Sequence, residues 1–359
     1  MKKITVKAKR PNDCHVHLRR GKMLQNVLPF HNIFGHAIVI GNTLPDNIVT
    51  AQDAASYRGE IMMENPEFIP HMTIMLVRDT TKKTIERAHR RGVRFVKYIP
   101  AATSTGSSAE KGIPLWMLSD YYPEIEIIWK NKMHLLLHVE LAFDPENKGR
   151  AIPHSEREHL GIPYLRQLVK AFPGLKITVE HVSTKKMIDF INQAPDYVRA
   201  TITAHHTGPY YDLTVSGYDH EAFHKGEIRD PDIFCLPILK GVDDVDAVIK
   251  AATSGNPKYM FGSDSAPHPS EHKTLENPKP GIFSAPTALP RIATVFSTHT
   301  DMNVKLLNAF LHDNSCRWYG FPKSNEIITF TARKWKVPEN YKGIVPFLAG
   351  EKIYWKASR

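Results

Sequence analysis

Six residues dispersed over the chain carry side chains that could hold metal ions: His15, His17, Lys97, His138, His181 and Asp264. His15-Val16-His17 closes a short apolar run. Residues two apart on a strand project to one side, so both imidazoles can reach a single ion. The His-x-His pair alone is a short pattern that also suits two polar residues on an exposed strand. Lys97 lies in Val93-Arg94-Phe95-Val96-Lys97-Tyr98. An ammonium loses its hydration in a buried strand, so either the side chain snorkels to solvent or burial lowers its pKa from about 10.4. A neutral amine can add CO2 and become a carbamate, whose two oxygens could bridge two cations. His138 and His181 each follow an apolar run, with Glu140 and Glu180 close by. One such histidine is more often a core residue than a ligand, but two at the same place in successive units fit that reading less well. Strand alternation turns Glu180 away from the ligand side and leaves Glu140 on the side of His138, as a partner that could orient it. Asp264 could ligate a cation and accept a proton from water, or it could cap the next helix. His268, a few residues on, is a candidate for contacting substrate. Two cations sharing an anionic bridge would acidify a water and polarise a carbonyl, the chemistry of hydrolysis, or its reverse, at an amide-type carbon.

Residues so far apart need a scaffold that brings strand ends together. Eight β-like runs (13–18, 36–42, 68–76, 93–100, 133–140, 175–182, 198–206 and 258–265) alternate with helical patterns, among them 80–91, 115–131, 156–171, 184–192 and 242–252. This alternation predicts an α/β fold, a (β/α)8 TIM barrel whose active site lies at the C-terminal ends of the strands. Ile38-Val39-Ile40 and Leu135-Leu136-Leu137 are apolar throughout, as strands buried on both faces should be. Three segments that follow strands, 101–112, 207–240 and 270–284, exceed a minimal barrel and are expected to shape the pocket. The first reads as a flexible loop over the mouth. A single barrel domain over residues 1–359 is expected.

The hydrophobic fraction of 42% over 359 residues supports a sizeable core. No apolar run is long enough to span a bilayer and none follows the basic N-terminus, so neither a transmembrane helix nor a signal peptide is expected. Cys14, Cys235 and Cys316 are too few and too scattered for a disulfide framework or a Cys-x-x-Cys zinc site, which suits a reducing cytoplasm. The net charge of +10 is spread over short clusters such as Lys82-Lys83 and Arg90-Arg91 without aromatic interleaving. A nucleic-acid or membrane partner is therefore not expected. A basic field can still gather a small anionic substrate.

With Arg19 two residues after the His-x-His pair, and the lysine, two histidines and aspartate at later strand ends, the chain resembles the amidohydrolase superfamily. Arg10-Pro11-Asn12-Asp13-Cys14-His15-Val16-His17-Leu18-Arg19, Cys235-Leu236-Pro237-Ile238-Leu239-Lys240, Asp264-Ser265-Ala266-Pro267-His268, Ala285-Pro286-Thr287-Ala288-Leu289 and Val345-Pro346-Phe347-Leu348-Ala349-Gly350 narrow the likeness to bacterial-type dihydroorotases of the single-domain class, over roughly residues 8 to 355. The resemblance implies reversible cyclisation of N-carbamoyl-L-aspartate to L-dihydroorotate in pyrimidine biosynthesis by a cytoplasmic homodimer. It implies two zinc ions, one on His15, His17 and Asp264, the other on His138 and His181, bridged by N6-carboxylated Lys97 and a hydroxide. Asp264 would shuttle the proton. Arg19, Asn42 and His268 would grip the substrate carboxylate, backbone groups near Leu236 and Ala285 would read the ring, and Ser104 and Thr105 would match a Thr-Thr pair that closes on substrate. The chain departs from the family pattern at Cys14, at Gly41, where proline is common, and in segments 101–105 and 275–281. Two other readings compete: a hydantoinase- or dihydropyrimidinase-like hydrolase of neutral rings, which needs no carboxylate grip, and a scaffold barrel that has lost its chemistry, which usually lacks ligands that are all present here.

Overall fold

The computed structural model describes residues 4–43, 46–104, 111–147, 150–208, 228–276 and 278–359. After an N-terminal strand β1 (Thr5–Lys9), the eight apolar runs become eight parallel strands: β2 (Asp13–Val16), β3 (Ala37–Val39), β4 (Pro70–Leu76), β5 (Phe95–Tyr98), β6 (His134–Leu137), β7 (Lys176–Val179), β8 (Val198–Ile202) and β9 (Tyr259–Phe261). They pair in chain order, β2 through β9. The sheet closes on itself through a bridge between Val16 and Ser265. There the Asp264 N–H donates to the His15 carbonyl at 2.8 Å and the His17 N–H to that of Ser265 at 3.0 Å. Closure therefore fixes the first and last candidate ligands against each other.

Both faces of the strands are buried, which accounts for the uninterrupted apolar runs. Leu136 packs in the barrel interior with Ile38, Met75, Phe95 and Met260. Leu135 and Leu137 join the outer core beneath the helices. The five expected helical patterns are present. The one expected at 156–171 is two helices, His154–Leu160 and Ile162–Ala171. Pro163 sits in the first turn of the second, where no amide donor is needed. A Cβ at Gly161, between them, would lie 2.7 Å from Val139 Cγ1.

Further elements had no clear periodic signal. The helix Ala51–Glu64 starts from a capping box made by Thr50 and Asp53. The helix Ala288–Thr300 follows the last strand unit. β1 pairs with β10 (Ile327–Lys336), and β10 with β11 (Lys352–Ser358), in an antiparallel sheet that joins the two ends of the chain. At the N-terminal end of the barrel the interior is filled by residues in and just beyond the last turn of the helix Asn314–Tyr319. Phe321 stacks on His71 with ring centroids 4.2 Å apart, and Trp318 Nε1–H donates to Thr178 Oγ1 at 2.9 Å. No helix among the described residues is long and apolar enough to cross a membrane.

Candidate active site

At the C-terminal end of the barrel, Lys97 leaves β5 on the interior side of the strand, two residues after inward Phe95, and is fully buried. His138 follows Leu137 and shares the interior parity of Leu136. His15 and His17 bring their Nε2 atoms to 3.2 Å from each other, and His15 Nε2 lies 3.2 Å and His17 Nε2 3.5 Å from Asp264 Oδ1. His138 Nδ1 faces His181 Nε2 at 3.1 Å. A Cβ at Gly262 would lie 3.0 Å from His15 Cβ and 3.2 Å from Thr201 Cβ, so glycine permits the close approach of β9 to the first ligand.

Three site residues hold left-handed backbone: Arg19 at φ 58°, His181 at φ 44° and Asp264 at φ 42°. Such angles are uncommon outside glycine and concentrate at functional sites. They explain one departure from expectation. Glu180 does not point away from the ligands: it follows the interior parity of Thr178 and reaches the centre, and His181 joins the same side because its backbone turns. The Glu180 carboxylate contacts the Lys97 ammonium, and its Oε1 lies 3.0 Å from His15 Nδ1. Thr178-Val179-Glu180 carries the signal, because side-chain parity runs from the strand and not from the histidine beyond its end.

The hydrogen bonds select tautomers. His138 Nε2–H donates to Glu140 Oε2 at 2.7 Å, which leaves Nδ1 as the lone-pair nitrogen. His17 Nδ1–H donates to the Asn42 carbonyl at 3.2 Å, which leaves Nε2. These are the contacts that fix metal-ligating histidines. Burial lowers the pKa of His15 and His138, takes that of His181 well below the ordinary value and brings that of His17 to about 4, so the imidazoles are neutral. Burial also pulls Lys97 down to about 7, against Asp264, which favours the ammonium. Asp264 is pushed up by burial and pulled down further by His15, His17 and His181, and the balance lies well below the ordinary carboxylate range. His15, His181 and Asp264 offer ligand atoms that all lie within 4.8 Å of one another. Neutral imidazoles, a carboxylate and a lysine converging in this way form a donor set for divalent metal.

Around this centre, the cavity is lined by Arg19, Asn42, Ser104 and Leu236 together with the six candidate ligands. Arg19 is 5% exposed. It donates through Nε to the Pro267 carbonyl at 2.9 Å, and its Nη2 lies 3.1 Å from His268 Nε2. Burial brings its pKa to about 10. Asn42 Nδ2 donates to Ser104 Oγ at 2.7 Å, tying the segment after β3 to the loop after β5. Ala285 is not among the lining residues, and its N–H donates to Ser265 Oγ at 3.3 Å. Thr105 lies outside the described residues. All three long segments reach the cavity, through Thr103 and Ser104, Cys235 and Leu236, and Pro280 and Gly281. A larger hollow, of about 890 Å³, lies on the outer wall beside Arg58, Arg87 and Arg90, and none of the candidate residues lines it.

No model of a protein family matches the chain. The chain is 35% identical to a dihydroorotase of Coxiella burnetii over 366 residues, covering 99% of this chain and 98% of that protein. It is 34% identical to one of Teredinibacter turnerae over 359 residues, covering 98% of each. Among solved structures it is similar to the dihydroorotase of Saccharomyces cerevisiae in complex with 5-fluoroorotic acid (TM-score 0.84, 28% identity, 98% of each chain). It is also similar to that of Campylobacter jejuni (TM-score 0.81, 29% identity, 100% of this chain and 99% of that one). An L-hydantoinase of Arthrobacter aurescens shares the barrel alone, at TM-score 0.76 and 15% identity over 98% of this chain and 82% of that one. Full-length likeness above 30% identity, on a barrel with this donor set at its mouth, places the chain in the dihydroorotase family, amidohydrolases that act on a cyclic amide bond.

Proposed function

We propose that this chain interconverts L-dihydroorotate and N-carbamoyl-L-aspartate, a step of pyrimidine biosynthesis, with two zinc ions at the barrel mouth. The observation that carries the substrate is Arg19. Its guanidinium is buried beside the ligand cluster, and its polar contacts are backbone carbonyls and His268. Among the described residues no carboxylate forms an ion pair with it, so a substrate carboxylate would complete the site.

The residues fit the metals. His138 Nδ1, left without a proton by the contact with Glu140, faces His181 Nε2 at 3.1 Å, and Nε2 of His15 and of His17 converge on Asp264. His15, His17 and Asp264 would hold one zinc and His138 and His181 the other, with N6-carboxylated Lys97 and a hydroxide completing the donor set. When bound, the metals supply Lewis-acid polarisation of the amide carbonyl and a nucleophile at neutral pH. Asp264 takes a proton from the attacking water and delivers it to the ring nitrogen as the C–N bond breaks. In the reverse direction it removes that proton as the ring closes and water leaves. Arg19, with Asn42 and His268, would bind the carboxylate, while backbone groups near Leu236 would read the ring; Ala285, whose N–H is held by Ser265 Oγ outside the cavity, is left out of that role. Ser104, which accepts from Asn42 Nδ2 at 2.7 Å, would couple the loop to substrate through that bond. The buried free thiols of Cys14, Cys235 and Cys316 support a reducing, cytoplasmic setting, and family resemblance supports a homodimer, which light scattering would check.

The test is turnover of L-dihydroorotate by zinc-loaded protein, followed by loss of ultraviolet absorbance, with hydantoin and dihydrouracil alongside. Turnover of dihydroorotate alone, abolished by chelator and weakened through KM in Arg19→Met, is expected. Better turnover of the neutral rings would overturn the substrate and favour a hydantoinase-like activity.

A further inference from the structure

Beside the site just described lies a second group of donors that the proposed reaction does not use. His205 and His206 sit in a single helical turn, His205–Thr207, just beyond β8, and Cys235 lies on the segment that enters the cavity with Leu236. One ring nitrogen of each histidine and the Cys235 sulfur all lie within 4.8 Å of one another, and all three residues are buried. We propose that His205, His206 and Cys235 form a third metal site, for zinc or a similar divalent cation of borderline softness, apart from the binuclear pair.

The first support is His205. It is wholly buried, yet neither ring nitrogen has a hydrogen-bond partner among the described residues. A buried imidazole left without partners is costly and calls for a missing water or ion. Burial lowers its pKa to about 4, so it is a neutral donor and does not gain a partner by protonation. The second is the orientation of His206. Its Nε2–H donates to the Pro237 carbonyl at 3.0 Å, the type of contact that fixes the tautomer of a ligating histidine. Its lone pair is then on Nδ1, met at 2.8 Å by the Thr203 hydroxyl, a neutral group that a cation would displace.

Cys235 supplies the charge. Burial pushes its thiol well above the ordinary range, so it stays protonated until a cation takes the proton's place. Binding forms a metal–sulfur bond, breaks the S–H bond and releases one proton to solvent. Two imidazoles and one thiolate suit zinc or cobalt, with a fourth position left for water. Cys235 also lines the active-site cavity, which provides an entry path.

The sulfur makes the test specific, because none of the ligands assigned to the binuclear pair contains one. The full-length protein is saturated with zinc, freed of loosely held metal and analysed for metal content. In parallel it is loaded with cobalt(II) and its near-ultraviolet spectrum recorded. One metal per chain beyond the binuclear pair is expected, together with a thiolate-to-cobalt charge-transfer band. Cys235→Ser should lose both, and His205→Gln should lose the extra metal. His15→Ala should keep the band, so failure of the binuclear assignment remains distinguishable from failure of this one. No band in the wild-type chain, or a band that survives Cys235→Ser, overturns the proposal.

Discussion

Replacing Glu140 by alanine probes whether the mouth of the barrel is built to hold metal. Glu140 accepts the Nε2–H of His138 at 2.7 Å, with both side chains buried. That bond keeps the proton off Nδ1, the atom that faces His181 at 3.1 Å. Without it, the His138 proton can move to Nδ1, donate to His181 Nε2 and occupy the place of a cation. A hydrogen bond to a charged acceptor contributes about 1.5–3 kcal/mol. Loss of a partner that orients a ligand weakens metal binding about 10- to 100-fold, or roughly 1.4–2.8 kcal/mol. The two figures agree, so Glu140→Ala should bind zinc about 10- to 100-fold more weakly in competition with a chromophoric chelator. Turnover should recover substantially at saturating zinc. Removing the carboxylate also leaves Arg157, whose charge it favours, without that compensation. Glu140→Gln controls for this, because it keeps an acceptor oxygen while losing the charge, and its zinc affinity should fall less than tenfold. Wild-type affinity in Glu140→Ala would refute the assignment of His138 Nδ1 as a ligand.

Lys97→Ala should remove the bridge between the metals and most of the turnover, and full activity with both metals bound would contradict its role. Glu158 should make stability depend on pH. Burial pushes its carboxyl up to about 7, despite the Ser183 N–H that donates to it at 2.8 Å. Its folded pKa exceeds the unfolded value, so its contribution is fully present below about 4.5 and is lost as pH rises through about 7. The loss is at most roughly 3 kcal/mol, and urea unfolding of metal-free protein at pH 5 and pH 8 should show a smaller pH dependence in Glu158→Gln.

The barrel was legible because its strands are short, apolar and regularly interleaved with helices, and a parallel sheet buried on both faces leaves that pattern in any single chain. The candidate ligands were legible because histidine, lysine and aspartate at strand ends are costly unless something there uses them. The antiparallel sheet was not. β1 pairs with β10, more than three hundred residues away, and neither strand carries an unbroken apolar run, because one face of this sheet is largely exposed. The helix at 156–171 read as continuous because periodicity registers a buried face and not the short break before Pro163.

Strand parity is a local rule, and it holds as far as the strand does. It correctly aims Lys97 and His138, which leave β5 and β6 in register with inward Phe95 and Leu136. It fails at His181 because a left-handed residue past the end of β7 reverses the direction of the side chain, and the same turn lets Glu180 reach Lys97 and His15. Residue types and order thus determined which groups could do chemistry and on what kind of scaffold. Closure of the barrel decided which of them meet. The geometry of the candidate site depends on positive φ at Arg19, His181 and Asp264, on glycine's small size just past β9 where the chain meets His15, and on carboxylates arriving from neighbouring strands. Those are contacts between segments far apart in the chain, so no window of sequence contains them.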